Sequence, residues 1–515
     1  MKRSIVNHRS LLAALIVFVI AFALYLSTLA PTISWAHDGA DGGDLITAAA
    51  TLGVAHPPGY PTYITLGHLF AQLSIGNVAY RLNLMSAVCM ASAAALTALT
   101  LIPGPSPDAE KQATGEGSTV GVGVGVLGGL TFAAAPMIWG QATITEVHAL
   151  NILSVAAIVC LLAPIVFRGE SIPTHQLILA FFLWGLGSGN LLTIAALVPI
   201  MFLAWHRSRI ARHRAASLRS FSLFTFHSSL IISFLLGLGI YLLVPLRAAT
   251  HPPISWGNAT TWPNFVAQVS AELYRGYVLT VPLNEYPSRL IAFAQLLVTQ
   301  FGWFGVLLGA IGVWRAFIGP NKNWRGIMLT LALYTIFALG YNTPDSSLYL
   351  IPVWWFGAWA IAYGSLEFIQ MITRLSFLLH PSSLILLLII LVPGLTIATN
   401  YASMNLSADR AAKDFARTVL TQAPLDAILI TRDDAHTFTL WYYRLVESQR
   451  PDTTIIDARM AGYAWYDPML IAQGQSPRLP DYDPQDTWLE RLRAANPTRP
   501  ICEIDAATAN MQCKR

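Results

Sequence analysis

Eleven apolar stretches recur through the first four hundred residues, and they leave this chain few folds to choose from. A helix needs about 20 apolar residues to cross the hydrocarbon of a bilayer. The stretches fall at about 11–30, 80–103, 120–136, 144–167, 177–188, 190–205, 221–246, 291–317, 327–341, 348–369 and 381–400. Inside lipid each backbone N–H and C=O must be bonded within its own segment, so the stretches read as membrane-crossing helices. The region 177–205 is too long for one crossing and is broken by Gly185, Gly187, Gly189 and Asn190. It reads as two short helices meeting at a turn. The first stretch follows Lys2, Arg3 and Arg9. It exceeds the ~7–15 apolar residues of a secretory leader, so it reads as an uncleaved span.

Charge patterning orients the spans. Only 11% of the 515 residues are charged, against about 25% in a soluble domain. With the N-terminus cytoplasmic, the inner loops hold Lys111, Arg168, the cluster from Arg207 to Arg219, Arg315, Lys322, Arg325 and Arg374. The outer loops hold only Arg81, Arg247, Arg275 and Arg289, which is the positive-inside pattern. Loops 31–79, 137–143, 247–290 and 342–347 and everything after residue 400 are then extracytoplasmic. The net charge of +4, with its basic residues in short clusters between apolar runs, argues against a nucleic-acid partner. Cys89 and Cys160 lie in apolar runs as packing residues, and Cys502 and Cys513 can pair if their end faces an oxidising compartment.

The chain divides into a membrane part, 1–400, and a tail, 401–515. Ser407 is placed to cap a helix over 408–422. β-type runs at 427–431, 453–457 and 501–504 alternate with a helical segment near 435–449. This predicts a small α/β domain with a parallel sheet.

The chemistry-bearing residues sit at the outer face. Asp38, Asp41 and Asp44 follow the first span directly. A carboxylate there can act as general base, and grouped carboxylates are also the donor type for a divalent cation. The bland alternative is an N-cap at Asp41, with Asp44 in the first turn of a helix. The run from His56 to Pro61 holds three prolines and forms a stiff turn that can present His56 and Tyr60. Glu146 is an ionisable group near membrane depth and is a functional candidate by default. Arg247, Trp256 and Arg275 lie in one outer loop, where arginine suits a phosphate ligand or simply snorkels to the interface. Asp345 is another acid at a span end. Asp433-Asp434 reads as a strand-end turn. No P-loop, dinucleotide glycine motif, HExxH or nucleophile elbow stands in a suitable context.

The run from Asp41 to Ile46 with that from Leu52 to Pro61 closely resembles the hallmark of a transmembrane O-mannosyltransferase family. Its animal member acts on plexin-type receptors, and its bacterial relatives form a domain of unknown function. The resemblance continues through Ala79-Tyr80-Arg81-Leu82-Asn83, Gln141-Ala142, Glu146-Val147 and Gly189-Asn190. It recurs at Pro245 to Ala248, Pro252 to Gly257, Tyr274-Arg275, Gln300 to Trp303, Tyr341-Asn342, Pro344-Asp345 and Leu406 to Arg410. It implies the C-type glycosyltransferase fold in a bacterial cell membrane and a polyprenyl-phosphate sugar as donor. The acceptor is implied to be an extracytoplasmic hydroxyl of a protein or glycan. No soluble cofactor is implied, and no metal ligand is assigned. On this resemblance Asp41 is the first choice for general base with Asp44 supporting or sharing the role. Arg247 and Arg275 are candidates for the donor phosphate, and His56, Tyr60 and Glu146 for the acceptor or sugar site. The chain departs from the family pattern at Gly42, where serine is common, at Asp44, where glutamate is common, and at Leu191, where a histidine often stands.

The mechanism implied is a single inverting displacement. A transporter or flippase for a lipid-linked sugar is the first rival, but it predicts midplane ionisable residues and an internal repeat, and neither is evident. A non-catalytic envelope assembly protein is the second.

Overall fold

The computed structural model describes residues 8–102, 116–215, 220–319, 324–375, 380–481, 487–505 and 507–514. Lys2, Arg3, Lys111, Arg219 and Lys322, and most of the polar loop 104–119, lie outside them. Among the described residues, seven helices are long and apolar enough to cross a membrane alone: His8–Thr28, Val78–Leu101, His148–Phe167, Leu192–Ala211, Phe224–Ala248, Leu283–Ile318 and Pro381–Met404. Thr119–Ala134 and Pro136–Ala142 make an eighth if the pair counts as one span, bent by 69°. The bend falls where Pro136 removes a backbone donor and extends the residue before it. The other three expected spans are helical but shorter or more polar. Thr174–Ser188 has 15 residues and Trp324–Gly340 has 17, while Ile351–Leu375 carries Glu367 and Arg374. The region 177–205 does break at Gly189-Asn190, between Thr174–Ser188 and the 3-10 turn Leu192–Leu197.

Segments that link several of the helices are stitched together by backbone hydrogen bonds. Leu406 N–H donates to Thr28 (3.0 Å), Ala30 to Thr143 (3.1 Å), Thr62 to Gly189 (3.0 Å) and Asn342 to Tyr277 (2.9 Å). The buried Asn83 amide donates to the carbonyls of both Ala30 and Thr32. Each bond satisfies a carbonyl at a helix end or turn that lipid cannot solvate. These segments are where the candidate site forms.

Beyond Met404 the chain forms the expected small α/β unit. Its strands are β1 (Ile428–Thr431), β2 (Thr454–Asp457), β3 (Ile501–Ile504) and β4 (Met511–Lys514), in the order β2-β1-β3-β4. β1 pairs parallel with β2 and with β3, as the alternation of strand and helix implied. β4 was not foreseen; it runs antiparallel to β3 and sets Cys502 opposite Cys513, and the two are joined by a disulfide. The first tail helix is Ala411–Gln422, beginning three residues later than expected. Asp409, rather than Ser407, accepts the leading N–H, that of Ala411 (3.1 Å). The Asp434–Trp441 helix passes into one π-turn, Tyr442–Val446.

The α/β unit packs straight onto the membrane part. A Cβ on Gly43 would stand 2.3 Å from the Phe438 carbonyl oxygen, so the helices Gly42–Thr51 and Asp434–Trp441 meet at a distance only glycine permits. The Trp35 indole N–H bonds to the Ala435 carbonyl and the Thr439 hydroxyl, and Gln473 Nε2 donates to the Pro253 carbonyl.

Candidate active site at the acidic turn

The first span ends at Thr28, and a 3-10 turn, Ala36–Asp41, leads into the helix Gly42–Thr51. Asp41 stands at the N-cap of that helix but its side chain bonds none of the leading N–H groups. The purely structural capping role is therefore not the one this carboxylate plays. It faces outward, with 40% of its side chain exposed, and approaches His56 Nε2 at 3.5 Å.

Asp44 is the opposite case. It is fully enclosed, and three donors hold its carboxylate: the His56 N–H (3.0 Å), His56 Nδ1 (2.8 Å) and the Trp256 indole N–H (3.0 Å). A buried carboxylate survives when its lone pairs are filled in this way. The two Pro-Pro turns supply those donors because they are joined: Val54 N–H bonds to Ile254 O (2.9 Å) and Trp256 N–H returns to Val54 O (3.1 Å). His56 is thus clamped between two acids, its ring edge-on to Tyr60 at 4.9 Å. Trp256 stands behind Asp44, packed on Trp465 of the α/β unit at 5.0 Å.

In front of His56 is an acidic recess of about 30 Å³, walled by Asp38, Asp41, Glu146, His148 and Asp345 among others. The Asn190 amide holds the Val147 carbonyl (3.0 Å) and so positions the Glu146-Val147 turn. Arg289 holds the far wall, donating to the Tyr341 carbonyl (2.9 Å) at the start of the turn that carries Asp345. Tyr60, Leu191 and Tyr349 line both this recess and a second cavity of about 460 Å³, so the two adjoin. The larger cavity is walled mainly by apolar and aromatic groups such as Ala196, Val278, Leu333 and Phe337, with Arg275 at its edge. Arg275 donates to the Ser270 hydroxyl (2.7 Å). Arg247 lines neither space; it donates to Thr65 (2.7 Å).

The structure therefore brings Asp41, His56, Tyr60, Glu146, Asp345 and Arg275 around two joined spaces. Asp44 and Trp256 lie behind them, and Arg247 lies to one side. Tyr349, Tyr274 and His148 are wall residues that no sequence motif singled out as ligands. Leu191, noted only as a departure from a family pattern, turns out to stand at the junction. Asp434 is not just a strand-end acid: it begins a helix, pairs with Arg459 (2.6 Å), and its charge reaches Asp41 and His56.

Crowding by protein pushes the Asp41 carboxyl up to about 6; His56 opposes this, and Asp434, Asp44 and Asp345 reinforce it. Burial alone would lower His56, but Asp41 and the bond to Asp44 carry its imidazolium up to about 9. Burial, then the charges of Asp41 and Asp345, raises Glu146 well above the usual carboxylate range. Near neutral pH the site thus presents an ionised Asp41 beside a protonated His56, and burial favours the neutral form of Glu146. Among the described residues, no group of three or more His, Cys, Asp or Glu side chains is arranged to hold a metal ion.

Residues 41–214 match the protein O-mannosyl-transferase TMEM260 N-terminal domain, and residues 412–499 match TMEM260-associated domain 2. Protein O-mannosyl-transferase TMEM260 of Mus musculus is 25% identical over 514 residues, covering 96% of this chain and 68% of its own length. Protein O-mannosyl-transferase tmem260 of Dictyostelium discoideum is 24% identical over 510 residues, covering 90% of this chain and 59% of its own. Among solved structures, ArnT from Cupriavidus metallidurans bound to undecaprenyl phosphate superposes with a TM-score of 0.53. That match covers 96% of this chain and 93% of the other at 10% identity, and it is a likeness of fold.

Proposed function

We propose that this chain, which belongs to the TMEM260 family of protein O-mannosyl-transferases, moves a mannose-like sugar from a polyprenyl-phosphate donor to a hydroxyl of a protein or glycan acceptor. It is an integral membrane glycosyltransferase with the C-type fold. The observation that carries the finer reading is the pairing of spaces. A recess walled by several carboxylates, with the partly exposed Asp41 beside His56, opens beside an apolar cavity that Arg275 also lines. Such a pair suits a substrate with a greasy tail, a phosphate and a sugar.

In this reading the first isoprene units lie between Val278, Leu333 and Phe337, and Arg275 meets the phosphate. The recess is too small for a sugar ring, so the ring sits at the junction near Tyr60, Leu191 and Tyr349. Glu146 and Asp345 then reach its hydroxyls. The acceptor hydroxyl gives its proton to Asp41, and its oxygen bonds to the anomeric carbon as the bond from that carbon to the phosphate oxygen breaks. The electron pair leaves with polyprenyl phosphate, whose added charge Arg275 balances. One displacement inverts the anomeric centre. Asp44 acts through His56: it fixes the ring that sets the position and ionisation of Asp41, and so serves as a positioning residue. The basic bias of the opposite loops and the disulfide in the tail both support an extracytoplasmic site.

The test is purified protein supplied with polyprenyl-phosphate mannose and a serine- and threonine-containing peptide. Glycopeptide and free polyprenyl phosphate should form in equal amounts, and Asp41→Asn should lose both. Full turnover by Asp41→Asn would remove the proposed base. Activity with only a soluble nucleotide sugar would remove the proposed donor.

A further inference from the structure

The proposed reaction leaves one cavity and one charge cluster unused, and they adjoin. A groove of about 360 Å³ lies between Thr174–Ser188, Val198–Ala215 and Ser220–Leu238, lined by Phe181, Trp184, Phe202, Trp205, Leu230 and Ile231 among others. It runs toward the ends of the helices away from the catalytic recess. At that end Trp205 packs edge-on to His227 at 5.7 Å, and the Arg209 guanidinium sits 5.7 Å from the Trp205 ring centre. His206 stacks on Phe202 one turn away. His206, Arg207 and Arg209 are all exposed. No Asp or Glu occurs anywhere between Glu170 and Glu272, so the segments forming the groove and its rim carry no acid of their own.

We propose that this groove is a binding site for an anionic membrane phospholipid, distinct from the donor cavity. One acyl chain lies along Phe202, Leu230 and Ile231, and the phosphate headgroup meets Arg209. The argument is one of charge complementarity at a fixed depth. An acyl chain filling the groove brings its headgroup past Trp205 to the next turn of the Val198–Ala215 helix, where Arg209 is exposed. Stacking on Trp205 holds Arg209 over the groove mouth rather than splayed into water. A zwitterionic lipid fits the same groove but gains less at its rim.

The test uses purified protein in nanodiscs of equal parts phosphatidylglycerol and phosphatidylcholine, with co-released lipid identified by native mass spectrometry. The wild type should retain phosphatidylglycerol preferentially. Arg209→Ala should cut that preference about fivefold, the effect expected of one basic residue at a membrane surface, and Arg209→Lys should restore most of it. Ile231→Trp, an exposed position on the groove wall, should reduce retention of both lipids by filling the space. Equal retention of the two lipids by the wild type would overturn the proposal. So would a preference that survives both Arg209→Ala and Ile231→Trp.

Discussion

Replacing Asp44 by Asn separates its role from that of Asp41. Asp44 receives three N–H groups and is fully enclosed. An amide offers one acceptor oxygen and one NH2 donor, so at least one of those three N–H groups must face a donor. A buried donor stripped of its partner costs about 1–3 kcal/mol, and the His56 imidazolium also loses its enclosed counter-charge. Asp44→Asn should therefore be destabilised by about 3 kcal/mol or more, and turnover should fall because His56 is released. Asp41 makes no capping bond and 40% of its side chain is exposed. Asp41→Asn should unfold at or above the wild-type temperature while losing about 10²–10⁴ in kcat, the range for general-base catalysis. The assay is thermal unfolding in detergent alongside the initial rate of polyprenyl phosphate release. A stable Asp44→Asn protein with normal turnover would refute the division of labour. So would an Asp41→Asn protein that fails chiefly by unfolding.

Four other outcomes follow from the same geometry. The kcat profile should rise with pH through about 6, as Asp41 loses its proton, and fall through about 9, as His56 loses its own. His56 is raised from 6.5, so its stabilising contribution is complete below 6.5 and is lost as pH climbs toward 9, which unfolding at several pH values will reveal. Gly43→Ala should disturb the docking of the α/β unit, costing about 1–3 kcal/mol by overpacking, whereas Gly42→Ser should be tolerated because a Cβ there meets only ordinary contacts. Limited proteolysis of the tail distinguishes the two. Arg275→Ala should raise KM for the donor by about tenfold or more, the loss of a charge-assisted hydrogen bond, and Arg247→Ala should not.

Some of this was legible in the residues alone. Acids directly after a span, the Pro-Pro turns and the Asp345 turn all lie at one end of the bundle because span alternation fixes which loops share a face. What stayed hidden is burial. Asp41 and Asp44 are three positions apart and chemically identical, and only the closure of Trp256 and His56 over Asp44 separates the enclosed carboxylate from the accessible one. The span count depends on helix length, and Thr174–Ser188, with 15 residues, shows that a helix packed against others in a bundle need not be twenty residues long. Asp434 was passed over because it reaches the site across almost four hundred residues of chain, through a contact that Gly43 permits and no local pattern announces. β4 was missed because Met511–Lys514 is short and polar, and its pairing with β3 is non-local.

The arrangement of donor and base is tested most directly by a cryo-electron microscopy structure of the protein with polyprenyl phosphate bound. The phosphate should lie within hydrogen-bonding reach of Arg275, facing the Asp41 recess, with the first isoprenes between Val278, Leu333 and Phe337. Lipid phosphate seated away from Arg275, or separated from Asp41 by the wall at Tyr60 and Leu191, would contradict the account.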